Sequence, residues 1–363
     1  MRLSERYLYL IVSLIYMIMN SLIDFSLREF YTTQIESKVD FLRKLNEIID
    51  WEKFRPILEN MYSNNEGVGG RPNVDVIVMF KVLCLCESYN LSYRAAELEI
   101  LDRISFQHFL GYPERFPDKS TIWAFKERMC KYNVDKPVWE ELQRQINACG
   151  YTVKKGVSQD ATFIDADPGH KPKDTPRGDE AKTRRSRDGT FAKKYGKTHF
   201  GYKMHTKIDN DYEFIRDVKT TTASVHDSKV DLSKKGEVAY RDRGYFGTKT
   251  VGFNATMERS VRNHPIGIRS ILRNKRISRK RSAVERPYAQ IKRQQMKAGR
   301  VRVTTLKRVN IGCMVDCFMY NILHLRTLFT KKSENVPLEK KVTARLRNKM
   351  AGNLTDLFSL LSI

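Results

Sequence analysis

Between Arg273 and Arg308, fourteen lysines and arginines accompany one acidic residue, Glu285. Such a basic run can grip a polyphosphate backbone, and a carboxylate inside it offers the oxygen ligand that a hard divalent cation requires. A plainer arrangement also fits: a solvated helix face, with Glu285 as the third helical residue of a capping box headed by Ser282. A cation would need partner carboxylates from elsewhere in the chain.

Two positions can supply them. Asp160 interrupts a β-branched and aromatic run at 157–164, where a polar side chain is disfavoured unless it faces solvent or serves a site. Asp242 follows an apolar segment at 238–240 and precedes Gly244, which lets the chain turn away at a strand end, where open α/β sheets put ligands. Three carboxylates so placed could hold two divalent ions about 3.5–4 Å apart, which activate water and stabilise a leaving 3′ oxygen. Arg281 precedes Glu285, and Lys292 lies two turns after it on one helix face, so both are candidate phosphate contacts, as are Arg293 and Arg243. Each can equally be an ordinary surface charge. Pro287 confines Glu285 to the first turn of its helix, because the missing N–H is tolerated only there. His226 and Asp227 lack further histidines at metal-ligand spacing, and read as residues that orient the site or cap a helix.

The elements that must position these groups change character near residue 150. Before it, apolar residues recur at helical spacing, with a strongly apolar helix over 74–86. Ser92 and Ser105 are expected N-caps of two short helices, the second stopped by Gly111, a pattern shared by helix-turn-helix units and small helical bundles. A further helix is expected from residue 121 to Cys149. After it come a strand around Asp160, a mobile basic loop over 171–197, and a hairpin of 199–208 with 214–222 turning at Asp209, Asn210 and Asp211. A helix near Val225, the strand before Asp242, a short extended segment from Ser260 to Ile268, the basic stretch and an apolar helix over 309–328 complete the order. This order predicts an α/β catalytic domain with a mixed sheet of the ribonuclease H type, preceded by an all-helical domain.

The 363 residues are 41% hydrophobic and 30% charged, as in a folded soluble protein, and the net charge of +24 favours a polyanionic partner such as nucleic acid. Six cysteines without a CxxC pair read as reduced core residues, consistent with a cytoplasmic protein; Cys313 and Cys317 lie one helical turn apart. Residues 7–18 are apolar but too short and interrupted for a spanning helix, so no membrane association is expected. Residues 1–18 read as an extension ahead of a start at Met19.

Several motifs together resemble the IS5-family insertion-sequence transposases, within the group having an aspartate, aspartate, glutamate active site. They are Asp160-Ala-Thr162, Phe200-Gly-Tyr-Lys-Met-His205, Thr222-Ala-Ser-Val-His-Asp227, Arg241-Asp-Arg-Gly-Tyr245, and Arg281 with Glu285 and Lys292 in an Arg-x3-Glu-x6-Lys pattern. In the first half, Gly70-Arg-Pro72, Phe109-Leu-Gly111 and Pro117-Asp-Lys-Ser-Thr121 add to the resemblance, while Ser278 stands where the family has tyrosine. The resemblance covers residues 19–329 and implies a helical domain at 19–150 for DNA binding and dimerisation and a catalytic domain at 151–329. A charged tail at 330–363 lies beyond it. It implies Asp160, Asp242 and Glu285 as ligands of two Mg2+ or Mn2+ ions. Water would be the first nucleophile and the freed 3′ hydroxyl the second. DNA terminal inverted repeats and target DNA would be the partners of a homodimer or larger synaptic complex in a prokaryotic cytoplasm, at the nucleoid. A DNA-binding derivative without activity and a structure-selective nuclease are the alternatives.

Overall fold

The computed structural model describes residues 41–62, 72–154, 156–168, 186, 188–194, 196–292, 301 and 303–334. The first half is helical: α1 (Phe41–Ile48), α2 (Arg55–Glu59), α3 (Val76–Ser88), α4 (Tyr93–Asp102), α5 (Ile104–Leu110), α6 (Lys119–Tyr132) and α7 (Asp135–Ala148). Asp75 caps α3 by accepting from the N–H groups of Ile77 and Val78, and α3 is buried from Val76 through Cys86, as expected of a helix apolar on all sides. Among the described residues no single helix is long and apolar enough to cross a membrane.

Ser92 caps α4 as expected, and Gly111, at φ 81°, ends α5 in the left-handed conformation that glycine adopts at no steric cost. Ser105 is not a cap: α5 already begins at Ile104. The single helix expected up to Cys149 is two helices, because Asn133 adopts φ 49° and closes α6 one residue after Tyr132. The Asp118 carboxylate starts α6 by accepting from Thr121 N–H.

The second half holds β1 (Val157–Asp165), β2 (Thr190–Lys194), β3 (Lys197–Asp209), β4 (Ile215–Thr222), β5 (Val238–Arg241) and β6 (Phe253–Thr256). They form one six-stranded sheet in the order β2-β3-β1-β5-β6, with β4 also paired to β3. β3 is antiparallel to β1, β2 and β4, whereas β5 runs parallel to both β1 and β6. An antiparallel meander joined through its first strand to two parallel strands is the ribonuclease H-like arrangement.

Three further expectations are corrected. The stretch after Val225 forms only a short 3-10 turn, Asp227–Lys229, because side chains from the sheet claim its backbone: Lys203 Nζ donates to Val225 O, and Gln159 bonds Val230 O and Leu232 N–H. Residues 190–194 of the expected basic loop are the edge strand β2. Among the described residues the last strand, β6, precedes Ser260, and beyond it lies only an isolated bridge between Val261 and His264.

After the sheet come α8 (Ile268–Arg281), α9 (Glu285–Gln290) and α10 (Leu306–Glu334), the last of which continues past residue 330. α10 lies between the two halves, packing on β4 and on α3, α6 and α7. Its Phe318 ring meets Trp51, Phe54 and Phe80 at 5.2–6.1 Å. On the sheet side, the Asn321 amide accepts from Ile215 N–H and donates to Ile215 O, acting as a strand partner at the start of β4. The helices and the sheet therefore share one apolar core.

Candidate active site

The register of the parallel pair decides where the first two carboxylates meet. Ser158 on β1 stands opposite Tyr240 on β5. Two residues further along each strand come Asp160 and Asp242, which are thus level with each other where the strands part. Both therefore lie at the mouth expected for a ligand site in such a sheet.

Asp160 is anchored through both its side chain and its main chain. Its Oδ1 accepts from Ala161 N–H at 2.8 Å and its Oδ2 from Arg281 Nη2 at 3.2 Å. Its main-chain carbonyl accepts from the Tyr288 hydroxyl at 2.8 Å, and that hydroxyl in turn accepts from Thr206 Oγ1 at 2.7 Å. Thr206 is the β3 residue directly opposite Asp160. Burial pushes the Asp160 carboxyl above its usual range; Arg281 and the Ala161 N–H oppose this, and neighbouring Asp242 adds to it. With 26% of the side chain exposed, solvent still reaches the group.

Asp242 leaves β5 and caps a 3-10 turn, Arg243–Tyr245, its Oδ1 accepting from Gly244 N–H at 2.9 Å. A Cβ at residue 244 would stand 3.0 Å from that same oxygen, so glycine leaves the carboxylate room. Arg243 projects from this turn into solvent.

Glu285 opens α9 after a 3-10 turn, Ser282–Val284. Ser282 is not an N-cap, since its hydroxyl donates backward to Arg279 O, so the capping box does not form. Glu285 is exposed. It sits four residues after Arg281 and three before Tyr288, the two residues that fasten this segment to Asp160. Among the described residues no group of three His, Cys, Asp or Glu side chains already surrounds an ion-sized space. Oxygen donors of this kind nonetheless suit a hard divalent cation: Asp242 and the exposed Glu285 can present oxygens to it, and Asp160 can do so by exchanging its Arg281 contact.

Lys292 lies further along, and burial lowers its ammonium from the ordinary lysine range; Asp165 opposes this, while Lys194 and Lys197 add to it. It therefore stands in a basic group with the strand edge near Asp165. Arg293 falls outside the described residues. Sequence reasoning missed Tyr288 and Thr206, although an aromatic residue three places after Glu285 in so basic a helix was a usable signal.

Two family models match the chain: a transposase domain (DUF772) over residues 29–128 and a transposase DDE domain over residues 152–322. The chain belongs to the DDE transposases of insertion sequences, a class of transposase-type enzymes. It is 24% identical over 201 residues to the transposase for insertion sequence element IS1106 from Neisseria meningitidis serogroup B, covering 48% of this chain and 69% of that protein. Among solved structures it is similar to a piggyBac transposase in its synaptic complex with hairpin DNA, at 13% identity and a TM-score of 0.36, over 83% of this chain and 76% of that one.

Proposed function

We propose that this transposase binds the terminal inverted repeats of its own element and cleaves and joins DNA strands at a site made of Asp160, Asp242 and Glu285. The observation that carries the reading is the register of β1 and β5, which sets two carboxylates level at the strand ends, beneath a helix bearing a third. These three residues would hold Mg2+ or Mn2+, which when bound supplies charge stabilisation for phosphoryl transfer. Arg281 and Lys292, on the same helical run, and Arg243 and Arg293 would hold the phosphate backbone, and the net charge of +24 supports such a partner. The Tyr288 hydroxyl keeps the third-carboxylate helix seated on β1. The working form is a homodimer or larger synaptic assembly in a prokaryotic cytoplasm.

The test is incubation with DNA carrying the element's ends and Mg2+ or Mn2+, following nicking and joining. Products with 3′ hydroxyl ends and joined strands are expected from the wild type and from neither Asp242→Asn nor Glu285→Gln. Tight binding of the ends without any cutting would leave a DNA-binding derivative as the reading.

A further inference from the structure

A charged cluster away from the carboxylate site lines a cavity of about 220 Å3 between the helical half and α10. Lys126 on α6 is 4% exposed, and its Nζ donates to Glu87 Oε1 on α3 at 3.1 Å. Gly312 on α10 faces this pair: a Cβ there would stand 3.6 Å from Lys126 Nζ and 3.7 Å from Glu87 Oε1. One turn further along α10, Asp316 lines the same cavity. Asp316 is 2% exposed, and its Oδ1 has no hydrogen-bond partner among the described residues. Much of the remaining wall is apolar, with Leu91, Val301, Val303 and Val309. Val301 N–H donates to Asp165 O at 3.0 Å, which ties that wall to β1.

Lys126 balances one acid, and the cavity holds two. Asp316 is therefore a buried acid without a counter-charge of its own, an arrangement that is costly unless a further group completes it. Burial and the Glu87 charge push its carboxyl well above the usual range, with Lys126 opposing, so a proton sits where a cation could take its place. Two acids disfavour an anion. Among the described residues no three His, Cys, Asp or Glu side chains surround an ion-sized space, and valine and leucine walls suit a hydrocarbon body better than a hydrated metal ion. The volume is below the roughly 300–1,000 Å3 of sites for drug-sized molecules, so the ligand is small. We propose that this cavity binds a small organic monocation of the alkylammonium class, its ammonium donating to Asp316 and its hydrocarbon stem lying against Leu91, Val303 and Val309. The pairing is chemically matched, since an ammonium only donates and a carboxylate only accepts. It does not depend on the proposed divalent-cation site. Because α10 packs on β4 as well as on α3 and α6, an occupant here braces the joint between the two halves.

The test titrates the full chain by calorimetry with n-butylammonium and, separately, with n-butanol, its neutral analogue of the same size. Wild type is compared with Asp316→Asn, which removes the charge at nearly constant volume, and the Tm of each protein confirms that it is folded. The expected result is that wild type binds butylammonium about tenfold or more tightly than butanol, that Asp316→Asn loses about tenfold or more of this affinity, and that butylammonium raises the Tm of wild type alone. Leu91→Phe narrows the cavity without touching its charges and should weaken butylammonium too, so the comparison stays decisive if Asp316→Asn does not fold. Equal binding of the amine and the alcohol, equal binding by wild type and the variants, or no binding of butylammonium at millimolar concentration overturns the inference and leaves a water-filled gap beside a structural ion pair.

Discussion

The Arg281 guanidinium lies 3.2 Å from the Asp160 carboxylate, so a cation proposed as a phosphate contact is already engaged by a carboxylate proposed as a metal ligand. A divalent ion and Arg281 would compete for the same oxygen, and metal entry would free the guanidinium for DNA. A partly exposed pair is worth about 1 kcal/mol, or about fivefold in an affinity. Arg281→Gln should therefore bind Mn2+ about fivefold more tightly without DNA, measured by calorimetry. Its DNA binding should weaken, with the log–log salt slope reduced by about 1. Unchanged affinity for both would show that the pair is only structural.

Tyr288 bridges Thr206 Oγ1 and the Asp160 carbonyl, and so seats α9 on the sheet. Tyr288→Phe leaves both groups without this partner at a cost of about 1–3 kcal/mol. Urea denaturation should show that loss. Nicking should fall by more than the stability change accounts for under fully folded conditions, since the Glu285 helix loses its anchor.

Much of this arrangement was legible in the sequence, for identifiable reasons. Alternating β-branched and aromatic residues marked β1, β3, β4 and β5, and the Asp209, Asn210 and Asp211 turn fixed the hairpin, so the surroundings of Asp160 and Asp242 could be read locally. What escaped depended on long-range bonds. The stretch after Val225 carries helix-compatible residues, but Lys203 and Gln159 on distant strands hold its backbone extended. β2 was hidden by Lys193 and Lys194, whose charge reads as loop although they sit on a solvent-facing edge. Asn133 closed α6 through a left-handed backbone that its residue type permits but does not announce.

A buried ion pair adds to the joint between the helices and the sheet. Arg216 Nε donates to Asp209 Oδ2 at 2.7 Å, with Asp209 fully buried. The rest of the guanidinium bonds Gln143, Asn147 and Tyr151 O at the end of the helical half. Arg216→Ala strands the Asp209 carboxylate, and should cost about 3–5 kcal/mol in chemical denaturation. A loss below about 1 kcal/mol would mean that the two halves are held together elsewhere.

His205, on β3, is fully buried; its Nε2 meets Thr221 Oγ1, and its Nδ1 is without a partner among the described residues. Burial lowers its pKa from 6.5 to about 4, with Asp227 opposing this and Lys203 and Lys219 adding to it. The folded state thus favours the neutral ring. Its contribution to stability is complete above pH 6.5 and is lost as pH falls from 6.5 through about 4, reaching about 3 kcal/mol. Denaturation midpoints across this range should fall less steeply for His205→Gln than for wild type. Parallel curves would place the acid sensitivity in other groups.

The most direct measurement replaces Mg2+ by Fe2+ in the DNA-bound protein and adds ascorbate and peroxide, so that radicals cut the backbone beside the bound ion. Mass spectrometry then maps the cuts. If Asp160, Asp242 and Glu285 surround the ion, cuts appear near all three residues, are suppressed by excess Mg2+, and disappear in Asp160→Asn. Cuts near Asp160 and Asp242 with none near Glu285, or cuts confined to other segments, would contradict the three-carboxylate site.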